Sequence, residues 1–189
     1  MLAIARGATM LWTGGFPVTG LGQPFAFIGT GWFLGIPMPV WITAVVVALA
    51  VVVTRKTVFG RHIYAVGGNE RAARLSGINI NRVKIWVYTL SGILAGVGGI
   101  ILTSRLDSAQ PNAGFSYELD AIAAVVIGGT SLSGGRGSIM GTVQGALIIG
   151  ILNNGLVLLN VSPFWQQIIK GLVILVAVIL DRLNHPNEE

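Results

Sequence analysis

The sequence predicts an all-α, polytopic membrane protein with about four or five membrane segments, one of them short and glycine-interrupted, plus a partial one at the N-terminus. Three observations carry that prediction. Only 10% of the 189 residues are charged and 53% are apolar, where soluble domains carry about a quarter charged. The apolar residues gather into runs of roughly membrane-crossing length, separated by glycine, proline and polar punctuation. The basic residues are clustered: Arg55, Lys56, Arg61, Arg71, Arg74, Arg82 and Lys84, seven of the twelve Lys and Arg, fall between positions 55 and 84 against the single acid Glu70. Short loops rich in Lys and Arg stay on the cytoplasmic side, so this segment sets the orientation of the rest. The net charge of +5 therefore reports topology rather than a nucleic-acid partner.

Met1 to Trp12 is apolar but shorter than the roughly 20 residues a crossing needs. It lacks the pattern of a signal peptide and reads as the tail of a longer element. Residues 13–39 carry Gly14, Gly15, Pro17, Gly20, Gly22, Pro24, Gly29, Gly31, Gly35, Pro37 and Pro39 with no charge, which predicts a loop. Its aromatics Phe25, Phe27, Trp32 and Phe33 suit a membrane interface, and parity with the basic segment places it outside. Val40 to Thr54 is the first complete span, with Pro39 at the first helical position and Arg55-Lys56 ending it inside.

Ile85 to Leu102 follows the basic segment without a charge, and its Gly92 and Gly96 form a GxxxG pair for helix packing. Thr103 to Asp120 is expected as a polar outer loop that orders the entrance and meets a delivery protein. Leu119 to Leu132 is apolar but short, broken by Gly128-Gly129 and by Gly134-Gly135-Arg136-Gly137, and is expected as a short, buried crossing. Ile139 to Leu159 is the next span, with Gly137, Gly141 and Gly145 at intervals of four offering a second packing face. Asn160 to Pro163 is an outer turn. Phe164 to Leu180 is the last span, ended inside by Asp181-Arg182, and Leu183 to Glu189 is a polar tail.

Inside the basic segment, Asn69 is an N-cap, Glu70 sits in the first turn, Arg74 follows it by four, and Gly77 is placed to stop the helix. A helix of about two turns is too short to stand alone in water. Ala72, Ala73 and Leu75 would give it a shallow apolar face, for another protein's groove or for its own spans and lipid headgroups. Gln144, Asn153 and Asn154 lie in or near a span, where polar groups face other helices or a pathway. Lys170 lies about 10 Å past Pro163 along a helix, close enough to snorkel to the outer surface, to form a structural pair, or to line the pathway.

Other chemistries lack their parts. Glu118 and Asp120 have no nucleophile or positioned base near them in sequence. His62 and His185 have no partner at metal-ligand spacing and there is no cysteine, so no metal or cofactor is expected. The glycine run before Ser138 lacks the Gly-Lys-Ser/Thr of a Walker A loop.

The stretch from Thr57 through Gly67-Gly68-Asn69-Glu70 to Leu75-Ser76-Gly77-Ile78 resembles the signature loop of sugar-importing ABC permeases of the ribose, xylose and arabinose type. The likeness continues in Gly114-Phe115-Ser116-Tyr117-Glu118-Leu119-Asp120, in Gly128-Gly129-Thr130, in Gly134-Gly135-Arg136-Gly137 and in Asn153-Asn154-Gly155. It implies a non-catalytic, multi-pass permease subunit of the bacterial inner membrane. It implies a short cytoplasmic coupling helix, built on Asn69, Glu70, Ala72, Ala73, Leu75 and Gly77, docked in a cleft of a separate ATPase subunit. Arg71 stands between the acid and the alanines, unlike the plain pattern of the wider class. A periplasmic sugar-binding protein, a second permease subunit and the lipid bilayer complete the implied partners. A monosaccharide is the implied cargo, with Gln144, Asn153, Asn154 and Lys170 as pathway residues. Against that family, Met1 to Thr13 resembles a mid-subunit segment, so the chain is expected to cover the C-terminal half to three-fifths of such a permease. A permease for branched-chain amino acids or nucleosides, and a secondary carrier or channel independent of ATP, are the other readings.

Overall fold

The computed structural model describes residues 2–184, and His185 with the rest of the polar tail lies outside them. The chain forms two compact units, each built from two stretches of sequence. Among the described residues, the first comprises 2–49 and 85–115, the second 50–84 and 116–184. Helices α3 (Met38–Lys56) and α6 (Ile80–Leu106) run through both.

In the first unit, α1 (Leu2–Thr13) precedes β1 (Val18–Thr19), α2 (Gln23–Thr30) and a small hairpin of β2 (Trp32–Phe33) and β3 (Ile36–Pro37). Residues 13–39 are thus not all loop. Gly22 and Pro24 punctuate the sequence because they start a helix there, Gly22 as N-cap and Pro24 in the first turn. The hairpin turn is Leu34-Gly35, both at positive φ (+52° and +77°), the geometry that matches strand twist. Trp41 from α3 donates its indole N–H to the Phe33 carbonyl at 3.1 Å and meets the Phe33 ring edge-on at 6.2 Å. β4 (Ser108–Ala109), just after α6, pairs antiparallel with β1.

One buried hydroxyl joins α2 to α6. Ser104, fully buried, accepts the Gly29 N–H at 2.7 Å and turns its own proton to the carbonyls of Phe25 (2.5 Å) and Ala26 (3.3 Å). Gly29 is buried against the Ser104–Arg105 backbone, so the two helices touch main chain to main chain.

The second unit begins with the end of α3, then α4 (Val58–Gly68), α5 (Glu70–Leu75) and the start of α6. The basic segment is therefore mostly helical. Thr57 turns the chain between α3 and α4: its hydroxyl donates to the Val53 carbonyl at 2.6 Å and accepts the Gly60 N–H at 3.2 Å. The rest is α7 (Tyr117–Ile127), α8 (Ile139–Leu158) and α9 (Pro163–Asn184). Ala123, Ala124 and Ile149 form its core, with Ile127, Val173 and Ile174 packed around them, so α7 is held between α8 and α9.

Among the described residues, α3, α6 and α8 are long and apolar enough to cross a membrane, and α9 contributes a shorter apolar stretch, Pro163–Val176. With α7 as the short, glycine-bounded segment, this is a polytopic helical membrane fold. Several bounds differ from expectation. α3 starts at Met38, which puts Pro39 at the second helical position. α6 overruns its apolar run by about a turn at each end. Gly137 lies just ahead of α8, whose N-cap is Ser138, accepting the Gly141 N–H at 2.9 Å.

Candidate functional site

Two polar groupings stand out, both in the second unit. The first is the α4–α5 junction, where Asn69 serves both helices. Its backbone N–H donates to the Ala65 carbonyl (3.1 Å) and closes α4, while its side chain accepts the Ala72 N–H (2.9 Å) and opens α5. The far end closes as a Schellman motif: Ile78 N–H reaches the Ala73 carbonyl (3.1 Å) and Gly77 N–H that of Arg74 (3.0 Å). Gly77 takes φ +82°, which glycine adopts without strain.

Glu70 accepts a hydrogen bond from Lys84 Nζ at 2.8 Å, and Arg74 Nη2 lies 3.9 Å away. The Lys84 hydrogen bond holds the Glu70 carboxyl below its ordinary value of 4.5; partial desolvation opposes this, and the charges of Lys84 and Arg74 add to it. In a helix turning about 100° per residue, Ala73 and Leu75, two apart, point to nearly opposite sides. Ala73 is buried, as are Ile80 and Val83 of α6, whereas Ala72 is exposed and Leu75 is 90% exposed. The expected three-residue apolar face is thus divided, with Ala73 turned inward. Glu70, Arg71, Arg74 and Leu75 line one open surface depression.

The second grouping draws one residue from each of α7, α8 and α9. Lys170 Nζ lies 2.9 Å from each carboxylate oxygen of Asp120, with hydrogen-bond angles met only at Oδ2. Asn153 donates Nδ2 to the same Oδ2 at 3.3 Å, and its own Oδ1 is buried with no hydrogen-bond partner among the described residues. Lys170 is therefore a partner in an ion pair. Asp120, expected in an outer loop meeting a delivery protein, lies in the first turn of α7 instead. The punctuation that ends the loop is Gly114 and Ser116, both at positive φ, so the helix starts at Tyr117. Gln144 and Asn154 are exposed and stand outside this cluster.

The candidate packing glycines divide likewise. Gly141 and Gly145 press on the backbone carbonyls of Gly128 and Ala124, where no side chain larger than hydrogen fits, and Gly137 abuts the Thr130 side chain. Gly92 and Gly96 meet no atom within 4 Å of where a Cβ would be. Sequence reading missed Ser104, Tyr64 and the pairing of Asp120. Its one signal for the last was an acid and a lysine at the outer ends of two neighbouring apolar stretches.

Comparison with known proteins adds to this geometry. Residues 4–178 match the family described as branched-chain amino acid transport system / permease component. The chain belongs to this permease family. Members similar to it include the ribose import permease protein RbsC of Bacillus subtilis (strain 168), 58% identical over 183 residues and 96% of this chain. RbsC of Haemophilus influenzae is 57% identical over 184 residues and 95% of this chain. The xylose transport system permease protein XylH of Haemophilus influenzae is 51% identical over 152 residues and 80% of this chain. The chain spans 57% of the length of each ribose relative and 40% of that of the xylose relative. No solved structure matches. As a member of the family the chain is a multi-pass membrane permease component.

Proposed function

We propose that this chain forms part of the membrane-spanning permease subunit of a binding-protein-dependent ABC importer that carries a ribose-like monosaccharide across the bacterial inner membrane. The observation that supports it most is identity above 50% to relatives named for ribose and xylose across most of the chain. The family's own description names branched-chain amino acids, but the individual relatives speak for a sugar.

In this reading, separate ATPase subunits supply the energy and dock on α5. Glu70, Arg71, Arg74 and Leu75 form the contact surface, exposed Ala72 lies beside it, and Asn69 and Gly77 hold the two ends of the helix. Ala73, being buried, anchors the helix from within. A periplasmic sugar-binding protein delivers the cargo, and a second permease subunit completes the pathway. Gln144 and Asn154 offer uncharged hydrogen-bonding groups to a neutral sugar, while Asn153 and Lys170 act through Asp120, which ties both.

The test is uptake of labelled ribose, xylose and leucine by cells that carry this chain with its ATPase and binding protein. The reading expects ATP-dependent pentose uptake that collapses on ATP depletion. Uptake of leucine instead, or pentose uptake that follows the proton gradient and ignores ATP, would refute it.

A further inference from the structure

The end of α4 and the loop between α7 and α8 meet backbone to backbone at three glycines. A Cβ on Gly67 would lie 2.7 Å from Gly135 N, one on Gly135 would lie 2.7 Å from Gly68 Cα, and one on Gly134 would run into the Gly67 carbonyl. Gly134 and Gly135 also take φ of +95° and +73°, where an L side chain is strained. One turn before Gly67, the Tyr64 hydroxyl donates to the Gly137 carbonyl at 3.0 Å, gripping the same loop from the side. Beyond the loop, Gly128 and Gly145 bring the α7 and α8 backbones into contact. Ahead of it, Asn69 alone joins α4 to α5, hydrogen-bonded into both. Direct contacts therefore run in series from α5 through α4 and the loop to α7 and α8.

We propose that Tyr64, Gly67 and Gly135 are positioning residues for transport, forming a backbone joint that passes displacement of α5 to the α7–α8 pair. The proposal rests on the reading of α5 as the ATPase contact. Close-packed junctions do not deform continuously, so a small shift on one side moves the other side as a body. A methyl group inserted at the joint acts as a wedge: the ATPase still binds and hydrolyses ATP, but its stroke is no longer delivered.

Neighbouring glycines give the test its control. Gly67→Ala and Gly68→Ala make the same change at consecutive helical positions, with a similar gain in helix propensity. Only the first inserts a clashing Cβ, since a Cβ on Gly68 would meet Gly135 Cα at an ordinary 3.8 Å. The measurement is ATP hydrolysed per ribose imported, in membranes carrying the complete importer, alongside recruitment of the ATPase subunit. G67A should raise that ratio by about fivefold or more, the lower end of site-to-site coupling, with recruitment unchanged and G68A at the wild-type value. Tyr64→Phe, which adds no bulk, should shift the ratio the same way by less. A wild-type ratio in G67A, or an equal rise in G68A, would overturn the joint. Should G67A fail to reach the membrane, an unchanged ratio in Y64F overturns it instead. A wild-type chain that recruits no ATPase refutes the importer reading and the joint with it, whereas normal wild-type import with unaffected variants refutes the joint alone.

Discussion

Lys170 and Asp120 neutralise each other between α9 and α7, Nζ at 2.9 Å from both carboxylate oxygens, with the two side chains only 17% and 19% exposed. Ionisable groups within membrane-spanning segments are typically paired, as these two are. Removing one partner strands the other in a low-dielectric setting, a loss of roughly 3–5 kcal/mol for buried pairs, whereas an apolar replacement of both is often neutral. Asp120→Leu or Lys170→Met alone should therefore lower the thermal unfolding midpoint in detergent. The double variant, Asp120→Leu with Lys170→Met, should recover most of the loss. Additive losses in the double variant would show that the pair is not coupled.

The glycines predict a contrast of their own. Gly145→Ala pushes a methyl group into the Ala124 carbonyl and should cost about 1–3 kcal/mol as overpacking. Gly92→Ala meets nothing within 4 Å and should leave the unfolding midpoint of the chain unchanged or slightly raised. Equal losses in the two variants would contradict the packing described for α7 and α8.

Ser104, fully buried, carries the side-chain link between α2 and α6. Ser104→Ala removes the acceptor of the Gly29 N–H, and an orphaned buried donor costs about 1–3 kcal/mol. Hydrogen exchange at Gly29 should accelerate accordingly, while α7 to α9 keep their protection. Unchanged exchange at Gly29 would argue that another acceptor replaces Ser104.

Acidification should loosen the start of α5. The folded-state value of Glu70 lies below the ordinary 4.5, so its stabilising contribution is fully present above 4.5 and is lost as pH falls through the lowered value. An NMR titration of α5 amides should show that step in wild type and lose it in Glu70→Gln. Asn69→Ala should weaken the same helix at all pH values, by about 1 kcal/mol for a lost N-cap.

The long elements were legible because their signals are local: apolar runs for α3, α6, α8 and α9, and cap chemistry at Asn69 and Gly77 for α5. The glycine- and proline-rich stretch before α3 misled because Gly22 and Pro24 punctuate a helix start as readily as a loop. Asp120 was misplaced because its partners, Asn153 and Lys170, are 33 and 50 residues away, and no local pattern encodes such a pairing. Ala73 looked like Ala72 in composition, and only the folded turn of α5 buries one and leaves the other exposed. The Gly67–Gly135 approach was equally hidden, since glycine in a sequence announces freedom before it announces contact.

In the importer proposed above, α5 faces the cytoplasm and engages the ATPase there. The chain contains no cysteine, so Arg71→Cys gives a single reporter on the α5 surface. A membrane-impermeant thiol reagent should label it only in inside-out vesicles, and bound ATPase subunit should protect it. Labelling from outside intact cells would put α5 on the opposite face of the membrane, out of reach of an ATPase.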